Sequence, residues 1–592
     1  MSLLNYLNTR AIEAFKANDI PEELAVFTAS DRPDLADFQC NGAFQAAKAL
    51  RKNPREIASS VQKHLANDPA FEEVSVAGPG FINVRLTNQF ISENLAKLDF
   101  ENVIGEGEEP ETMIFDYGGP NIAKPLHVGH LRSAVIGDSV KRIARSLGHK
   151  VIADIHLGDW GTPMGMLIAE LEERHPDWPY FSKTEESFPE ESPINVDDLN
   201  KLYPEAATHF KEDKNFADKA RVTTAELQAG RAGYRALWQH FVNTSLSSVK
   251  KDFAALDVNF DLWLGESHAD VAMPEMIADL KQKGLAVESD GATVIHVARE
   301  DDDSEFPPLI LEKTGGGVTY GATDLATIYQ RANQHKDGQE KIDRIVYIVD
   351  QRQSLHFKQV FRAAALAGYI DEDHLEHLGF GTVNGPDGKP FKTREGGVMR
   401  LSDLLQMARD EVAKKMGIAG KDDQDLTNMA EAIAMAAVKY GDLSSQRLAD
   451  YIFDTSAFVK LEGKTGPYIQ YAAVRVQSLI DKAAENDLKP GSKITLEAPE
   501  ERALALLLLE YPIALQRAHT RRMPSDLCEH VYNIAQAYSR FYQNCPVMTA
   551  DSKEQSESRL ALSQLCRQDI VASMDKLGIE IPERMVTFGQ DE

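Results

Sequence analysis

The chain has 592 residues, 43% hydrophobic and 26% charged, a make-up that fits a folded globular protein and excludes a disordered or fibrous one. No apolar run is long enough to span a bilayer, and 64 basic against 92 acidic residues leave a net charge of −28, so a broad cationic surface is excluded and any phosphate contact must be local. The four cysteines (Cys40, Cys528, Cys545 and Cys566) are widely spaced and form no Cys-x-x-Cys pair, as expected for buried, reduced thiols in a cytoplasmic protein.

This length predicts roughly three to four domains. Met1 to Phe15 holds one basic and one acidic residue and no long apolar centre, so it reads as an amphipathic helix of the folded protein and not as a signal peptide. Helix patterns over residues 4–16, 42–50 and 54–67, with strand patterns over 71–77 and 81–86, predict a first α+β unit over residues 1–108. The acidic stretch 105–110 reads as its linker. From Thr112 to about Asp371 strands alternate with helices, which predicts a doubly wound parallel sheet within residues 109–400. Two insertions interrupt it: a polar, helical one at about 170–253, and a β-rich one at about 270–315 that includes residues 292–297 and 309–311. The run Ile345–Val349 returns to the sheet and ends at Asp350. From Leu401 to the end the pattern is helical, an all-α unit over 401–592 with a surface loop predicted at 550–558.

The most informative stretch is residues 120–130, Pro-Asn-Ile-Ala-Lys-Pro-Leu-His-Val-Gly-His. A strand over Thr112–Phe115 leads in through Gly118-Gly119. Apolar residues at 128, 131, 135, 136, 140, 143 and 147 then predict a helix that stops at Gly148, and residues 150–155 form the next strand. His127 and His130 thus fall on the first turn of a helix at the carboxyl end of a strand, where free N–H groups and the helix dipole favour phosphate. Gly129 gives a flat base or ribose room to approach, and the two imidazoles would donate to phosphoryl oxygens. Far downstream, Lys389-Pro390-Phe391-Lys392-Thr393 lies inside Gly385-Pro386-Asp387-Gly388 and Glu395-Gly396-Gly397. Two lysines three apart in a glycine-flanked loop (385–397) suit a polyphosphate clamp, although Pro-Asp-Gly is also an ordinary turn signal. Arg517, Arg521 and Arg522, beside His519 and between two helix patterns, are candidates for a local basic patch.

The two motifs together resemble the paired signatures of class I aminoacyl-tRNA synthetases, with 389–393 a variant of the Lys-Met-Ser-Lys-Ser loop. The runs 118–125, Leu131-Arg132-Ser133, Gly158-Asp159-Trp160-Gly161-Thr162, 320–325, 454–471 and 577–585 are similar to arginyl-tRNA synthetase over essentially the whole chain. The resemblance implies a Rossmann-like catalytic domain, an N-terminal domain gripping the tRNA elbow and a C-terminal bundle holding the anticodon. It also implies an arginine–tRNA ligase whose partners are L-arginine, ATP with Mg2+ as substrate complex, and tRNA(Arg), with no tightly bound cofactor, no metal site and no membrane; a monomer is expected. On this resemblance His127, Gly129, His130, Lys389, Lys392 and Thr393 bind ATP, with Lys124 reaching the same phosphates. Asp116, Asn121, Tyr320, Asp324 and Gln353 form the amino-acid pocket, and Arg517, Arg521 and Arg522 contact tRNA. A guanidinium needs a carboxylate fork, and Tyr320 and Asp324, four apart at a helix start, would point at one spot.

Adenylate formation is expected to need bound tRNA, with the terminal 2′-hydroxyl then taking the arginyl group. Residues 106–400 contain no cysteine, against a zinc-dependent cysteine enzyme. A class I enzyme for lysine or glutamine stays open on residue chemistry alone. Intact His127, His130, Lys389 and Lys392 argue against an inactive tRNA-binding paralogue, and the long helical region after the lysine loop argues against a small-molecule nucleotidyltransferase.

Overall fold

A computed structural model describes residues 3–30, 32, 34–103, 109–302, 304–313, 317–385, 387–389, 391, 399–418 and 423–586. Lys392 and Thr393 lie outside the described residues, as do Gly315-Gly316 and most of the acidic linker.

The N-terminal unit is built as its patterns predict, with helices Leu3–Lys16, Gly42–Leu50 and Pro54–Leu65 and strands Phe71–Ala77 and Phe81–Leu86. Two short strands not read from sequence, Phe27–Ala29 and Phe38–Cys40, complete its antiparallel sheet. Three-residue strands carry too little alternation to register as a pattern.

The sheet of the second unit is parallel throughout. Its order across the sheet is Leu375–His377, Arg344–Ile348, Thr112–Tyr117, Lys150–Asp154. The chain leaves Thr112–Tyr117 in one direction and returns on its other side at Arg344–Ile348, so the strand order reverses between these two neighbours. Their carboxyl ends open the crevice where open α/β sheets bind ligands. One face is covered by Val128–Ser146, whose Gly137 lets the Tyr117 ring approach: a Cβ there would lie 2.3 Å from that ring. Helix Tyr320–Asn333 lies over the other face, where its Arg331 meets Asp116, Asp154 and Tyr347.

The first insertion folds into helices Val196–Glu212, Lys214–Gln228 and Ala232–Ala255. The second holds a three-stranded antiparallel sheet of Ala286–Ser289, Ala292–Ile295 and Leu309–Glu312. Beyond Leu401 the regular elements of the described residues are helices, joined by Tyr451–Ile452, which pairs with Val383–Asn384 at the root of the lysine loop. The predicted surface loop at 550–558 is corrected in its second half. Ser552 caps a helix Lys553–Lys576, its Oγ accepting from the Gln555 N–H, and Ser556 and Ser558 are buried. Polar composition hid the cap, since serine at a helix start is a structural signal as much as a loop one. All four cysteines are free and buried, and no helix among the described residues is long and apolar enough to cross a membrane.

Candidate active site

The His-x-Gly-His signature is a capping box made of imidazoles. His127 is the N-cap of Val128–Ser146, and its Nδ1 accepts from the Gly129 N–H at 3.0 Å. His130 Nδ1 reaches back to accept from the His127 N–H, also at 3.0 Å. Both rings use Nδ1 as acceptor, so the neutral tautomer carries its proton on Nε2 and can donate it outward. Burial, then the neighbouring His127, pushes His130 down to about 3, and burial followed by the Lys124 charge lowers His127. The pair is therefore two neutral donors whose rings lie 3.9 Å apart between centroids, tilted by 35°. Gly129 has a second reason for lacking a side chain. A Cβ there would sit 2.8 Å from His127 Cε1 and 2.9 Å from its Nδ1, so alanine would displace the imidazole itself. Gly129→Ala is expected to cost at least tenfold in ATP-dependent activity while moving the thermal midpoint little, because position 129 is exposed; steady-state kinetics beside a melting curve checks both.

The residues after the signature hold its surroundings. Ser133 Oγ accepts from the Gly118 N–H at 2.8 Å and donates to the Ile348 carbonyl at 2.6 Å, stitching together the two strand ends at the switch point. Arg132, fully buried, donates to the Gly381 and Ala449 carbonyls and pairs with Asp442 at 3.2 Å. Gly381 begins the approach to the lysine loop. At the loop's far root, the Val128 N–H donates to the Met399 carbonyl and the Leu401 N–H to Leu126. Both roots of the loop are thus tied to the histidine helix. The described residues of the Pro-Asp-Gly stretch make a turn: the Gly388 N–H donates to Gly385, Gly388 has φ +72°, and the Lys389 N–H donates to Asp387 Oδ1. Lys389 is exposed, and Phe391 packs against Phe453.

Asp116 corrects an expectation. It does not stand at the rim to receive a guanidinium. It is 5% exposed, and its Oδ2 accepts from Arg331 at 2.7 Å. Sheet register explains this, because Asp116 sits level with Asp154 on one side and Tyr347 on the other, so all three side chains share a face. Arg331 reaches all of them, donating to Asp154 at 2.7 Å and to the Tyr347 hydroxyl at 3.2 Å. One guanidinium serves two carboxylates: burial pushes Asp116 up, while Arg331 overcomes burial to hold Asp154 low. Asp116, Asp154 and His156 have metal-ligand spacing, but Arg331 already supplies the cation there. Arg331→Met should destabilise the protein by about 3–5 kcal/mol, since it strands buried carboxylates; chemical denaturation measures it, and a loss under 1 kcal/mol would contradict this account.

The other pocket candidates lie at the crevice. Asn121 is exposed and bridges to Gly158, where a Cβ would meet Asn121 Oδ1 at 2.3 Å; the second glycine-rich turn is thus shaped around this amide. Tyr320 opens its helix after the Thr319 cap and is 68% exposed, and Asp324 follows one turn later, accepting from His356 Nε2 at 2.5 Å. Gln353, exposed, precedes helix Ser354–Leu366.

Sequence reading missed Glu266. It begins helix Glu266–Gln282, and there an acidic residue in a first turn looks like ordinary dipole compensation. Burial, then the carboxylates of Asp324 and Asp159, raises it to about 8. Burial and Glu266, with Tyr203 and Asp324, also raise the Tyr320 hydroxyl. Among the described residues no lysine or arginine pairs with Asp159, Glu266 or Asp324; Asp159 is held by the Ser267 N–H and hydroxyl. Three carboxylates lie near one another with no paired lysine or arginine among the described residues, His356 alone bonding Asp324.

The basic patch is corrected in part. Arg522 turns inward with φ +51°, is 8% exposed, and pairs with Glu376 on the edge strand of the parallel sheet at 3.0 Å. Arg517 and Arg521 stay on the surface and share Asp526, along a groove of about 880 Å³ between the N-terminal helix and helix Tyr511–Thr520. The C-terminal tyrosines mostly pack: Tyr538 is buried, and Tyr468 and Tyr532 meet edge to face at 5.9 Å.

Residues 96–455 match the family model described as tRNA synthetases class I (R), catalytic domain; residues 3–86 match the arginyl tRNA synthetase N terminal domain, and 469–585 the DALR anticodon binding domain. A switch-point crevice bearing the histidine cap and flanked by the roots of a lysine loop, in a chain that matches this catalytic model, marks a class I aminoacyl-tRNA synthetase. The chain is 46% identical to the arginine–tRNA ligase of Hyphomonas neptunium over 591 residues, covering 99% of this chain and 100% of the relative, and 44% identical to that of Maricaulis maris over 592, covering 99% and 100%. Within the class, it belongs to the arginyl-tRNA synthetase family. Solved arginyl-tRNA synthetases from Plasmodium falciparum and Thermus thermophilus share its fold, each with a TM-score of 0.80, at 24% and 23% identity and covering 99% and 98% of this chain and 99% and 100% of theirs.

Proposed function

We propose that the chain is an arginine–tRNA ligase that activates L-arginine with ATP and passes it to the 3′ end of tRNA(Arg). The observation that carries this reading is the acidic cluster of Glu266, Asp324 and Asp159 beside Tyr320, paired with no lysine or arginine among the described residues and joined to the histidine signature through the Asn121–Gly158 and Leu157–Gly265 bridges. A guanidinium is the cation that a carboxylate fork holds best. Glu266 and Asp324 would take that group, with Asn121 and Gln353 near the amino-acid end.

The arginine carboxylate attacks the α-phosphorus of ATP, forming the mixed anhydride and releasing pyrophosphate. The protein's share is positioning and charge neutralisation. His127 and His130 donate Nε2–H to the phosphate as charge builds, without a proton changing hands, since both rings are neutral beforehand. Lys389 and Lys392 neutralise the leaving pyrophosphate, with Lys124 close by; magnesium travels with the triphosphate as part of the substrate. In the second step the terminal 2′-hydroxyl of tRNA attacks the arginyl carbonyl and AMP leaves. The N-terminal unit and the C-terminal helices would grip the tRNA elbow and anticodon stem, Arg517 and Arg521 contributing from the groove between them.

Exchange of labelled pyrophosphate into ATP, driven by arginine with and without tRNA, tests the reading. Exchange with arginine is expected, and only when tRNA is present. None under either condition rejects the ligase, and exchange driven by lysine rejects the specificity.

A further inference from the structure

The first insertion places one aromatic side chain against Lys124. Helix Val196–Glu212 is capped by Asn195 and packs through Leu199, Leu202 and Ala206. Tyr203 stands beside that apolar stripe, half-buried, and the Lys124 ammonium lies 4.5 Å from its ring centroid. Pro204 follows directly; lacking an N–H, it cannot bond the Asn200 carbonyl. Asn200, Ser245 and Asp252 line a small cavity next to Lys124. No carboxylate among the described residues pairs with Lys124, and the Tyr203 ring faces its charge. Tyr203 is also near enough to act, with burial and Glu266, on the Tyr320 hydroxyl. The same side chain therefore borders both the phosphate lysine and the acidic pocket.

We propose that Tyr203 is a positioning residue, supplied by the insertion, whose ring holds the Lys124 ammonium at the phosphate side of the cleft. The inference rests on the ligase reading above. Lysine is a flexible four-carbon stem with a compact charge, and without the ring it loses its orientation toward the triphosphate. A cation over an aromatic face is held by an amount corresponding to about a three- to tenfold change in an equilibrium.

The test is arginine-dependent pyrophosphate exchange with tRNA in Tyr203→Leu, Tyr203→Phe, Lys124→Met and the Leu/Met double variant. Tyr203→Leu is expected to lower kcat/KM for ATP about three- to tenfold with KM for arginine within about twofold. Tyr203→Phe keeps the ring and should match the parent, and in the Lys124→Met background Tyr203→Leu should add nothing. Full activity in Tyr203→Leu overturns the proposal. So does a phenylalanine variant as poor as the leucine one, or a loss equally large in the Lys124→Met background, since those outcomes describe packing alone. An inactive parent protein would instead sink the ligase reading. Should Tyr203→Leu not fold, Tyr203→Met takes its place, and the rate of Lys124 acetylation by acetic anhydride, read by mass spectrometry, must rise in it; an unchanged rate also overturns the proposal.

Discussion

Replacing Glu266 by glutamine is expected to raise the KM for arginine about a hundredfold, with KM for ATP nearly unchanged. Truncating one partner of a desolvated charge pair costs ~2–5 kcal/mol, and Glu266 is one of two carboxylates placed to take the guanidinium. The same residue predicts a pH dependence. A carboxylate raised to about 8 in the free protein carries a proton at neutral pH that a bound guanidinium must expel. Arginine affinity should therefore climb as pH rises toward about 8, with release of up to one proton, and calorimetry in buffers of differing ionisation enthalpy would count it. For stability the sign is opposite. The folded state holds more protons than the unfolded chain between the ordinary carboxylate value and about 8, so this group's contribution is present at low pH and lost as pH rises through that window. Glu266→Gln should flatten both trends. Arginine affinity independent of pH in the parent protein would remove Glu266 from the pocket.

His130→Ala should lower arginine-dependent exchange by about 10²–10³-fold, the usual cost of deleting one preorganised donor to developing charge. It also deletes the acceptor for the His127 N–H, so a further stability loss of about 0.5–2 kcal/mol is expected. Asparagine at this position offers an oxygen to the backbone and an N–H outward, and should recover part of both. Because burial holds His130 neutral down to about 3, rates should show no histidine-like step between pH 6 and 7. Here the folded state holds fewer protons than the unfolded chain from about 3 up to the ordinary imidazole value, so stability rises with pH across that window and falls on acidification. An exchange rate in His130→Ala within threefold of the parent would falsify the donor role.

Much of the scaffold was legible because it is local. The helix Val128–Ser146 starts and stops where apolar spacing and Gly148 place it, and helix Gly42–Leu50 and strands Phe71–Ala77 and Phe81–Leu86 match their patterns residue for residue. The site residues were read less evenly. Asp116 and Tyr117 are neighbours in a strand and face opposite sides of the sheet, one to Arg331 and the other to the histidine helix. Nothing in the chain near Asp116 announces an arginine 215 residues later. Arg521 and Arg522 are likewise adjacent, and a single left-handed backbone step sends one to the surface and the other to Glu376. Glu266 was hidden by an ordinary role for its residue type.

The order of residues alone determined the secondary structure of the core, the two signature motifs and the family, since periodicity, caps and turn glycines act over a few residues and short motifs survive in one dimension. Which charges meet was decided only by the tertiary structure. Register levelled Asp116 with Asp154 and Tyr347, and three-dimensional packing left Glu266 and Asp324 without a paired lysine or arginine among the described residues while giving Asp116 an arginine. A buried charge is governed by whatever lies within a few ångströms of it, and that neighbour can come from anywhere in the chain.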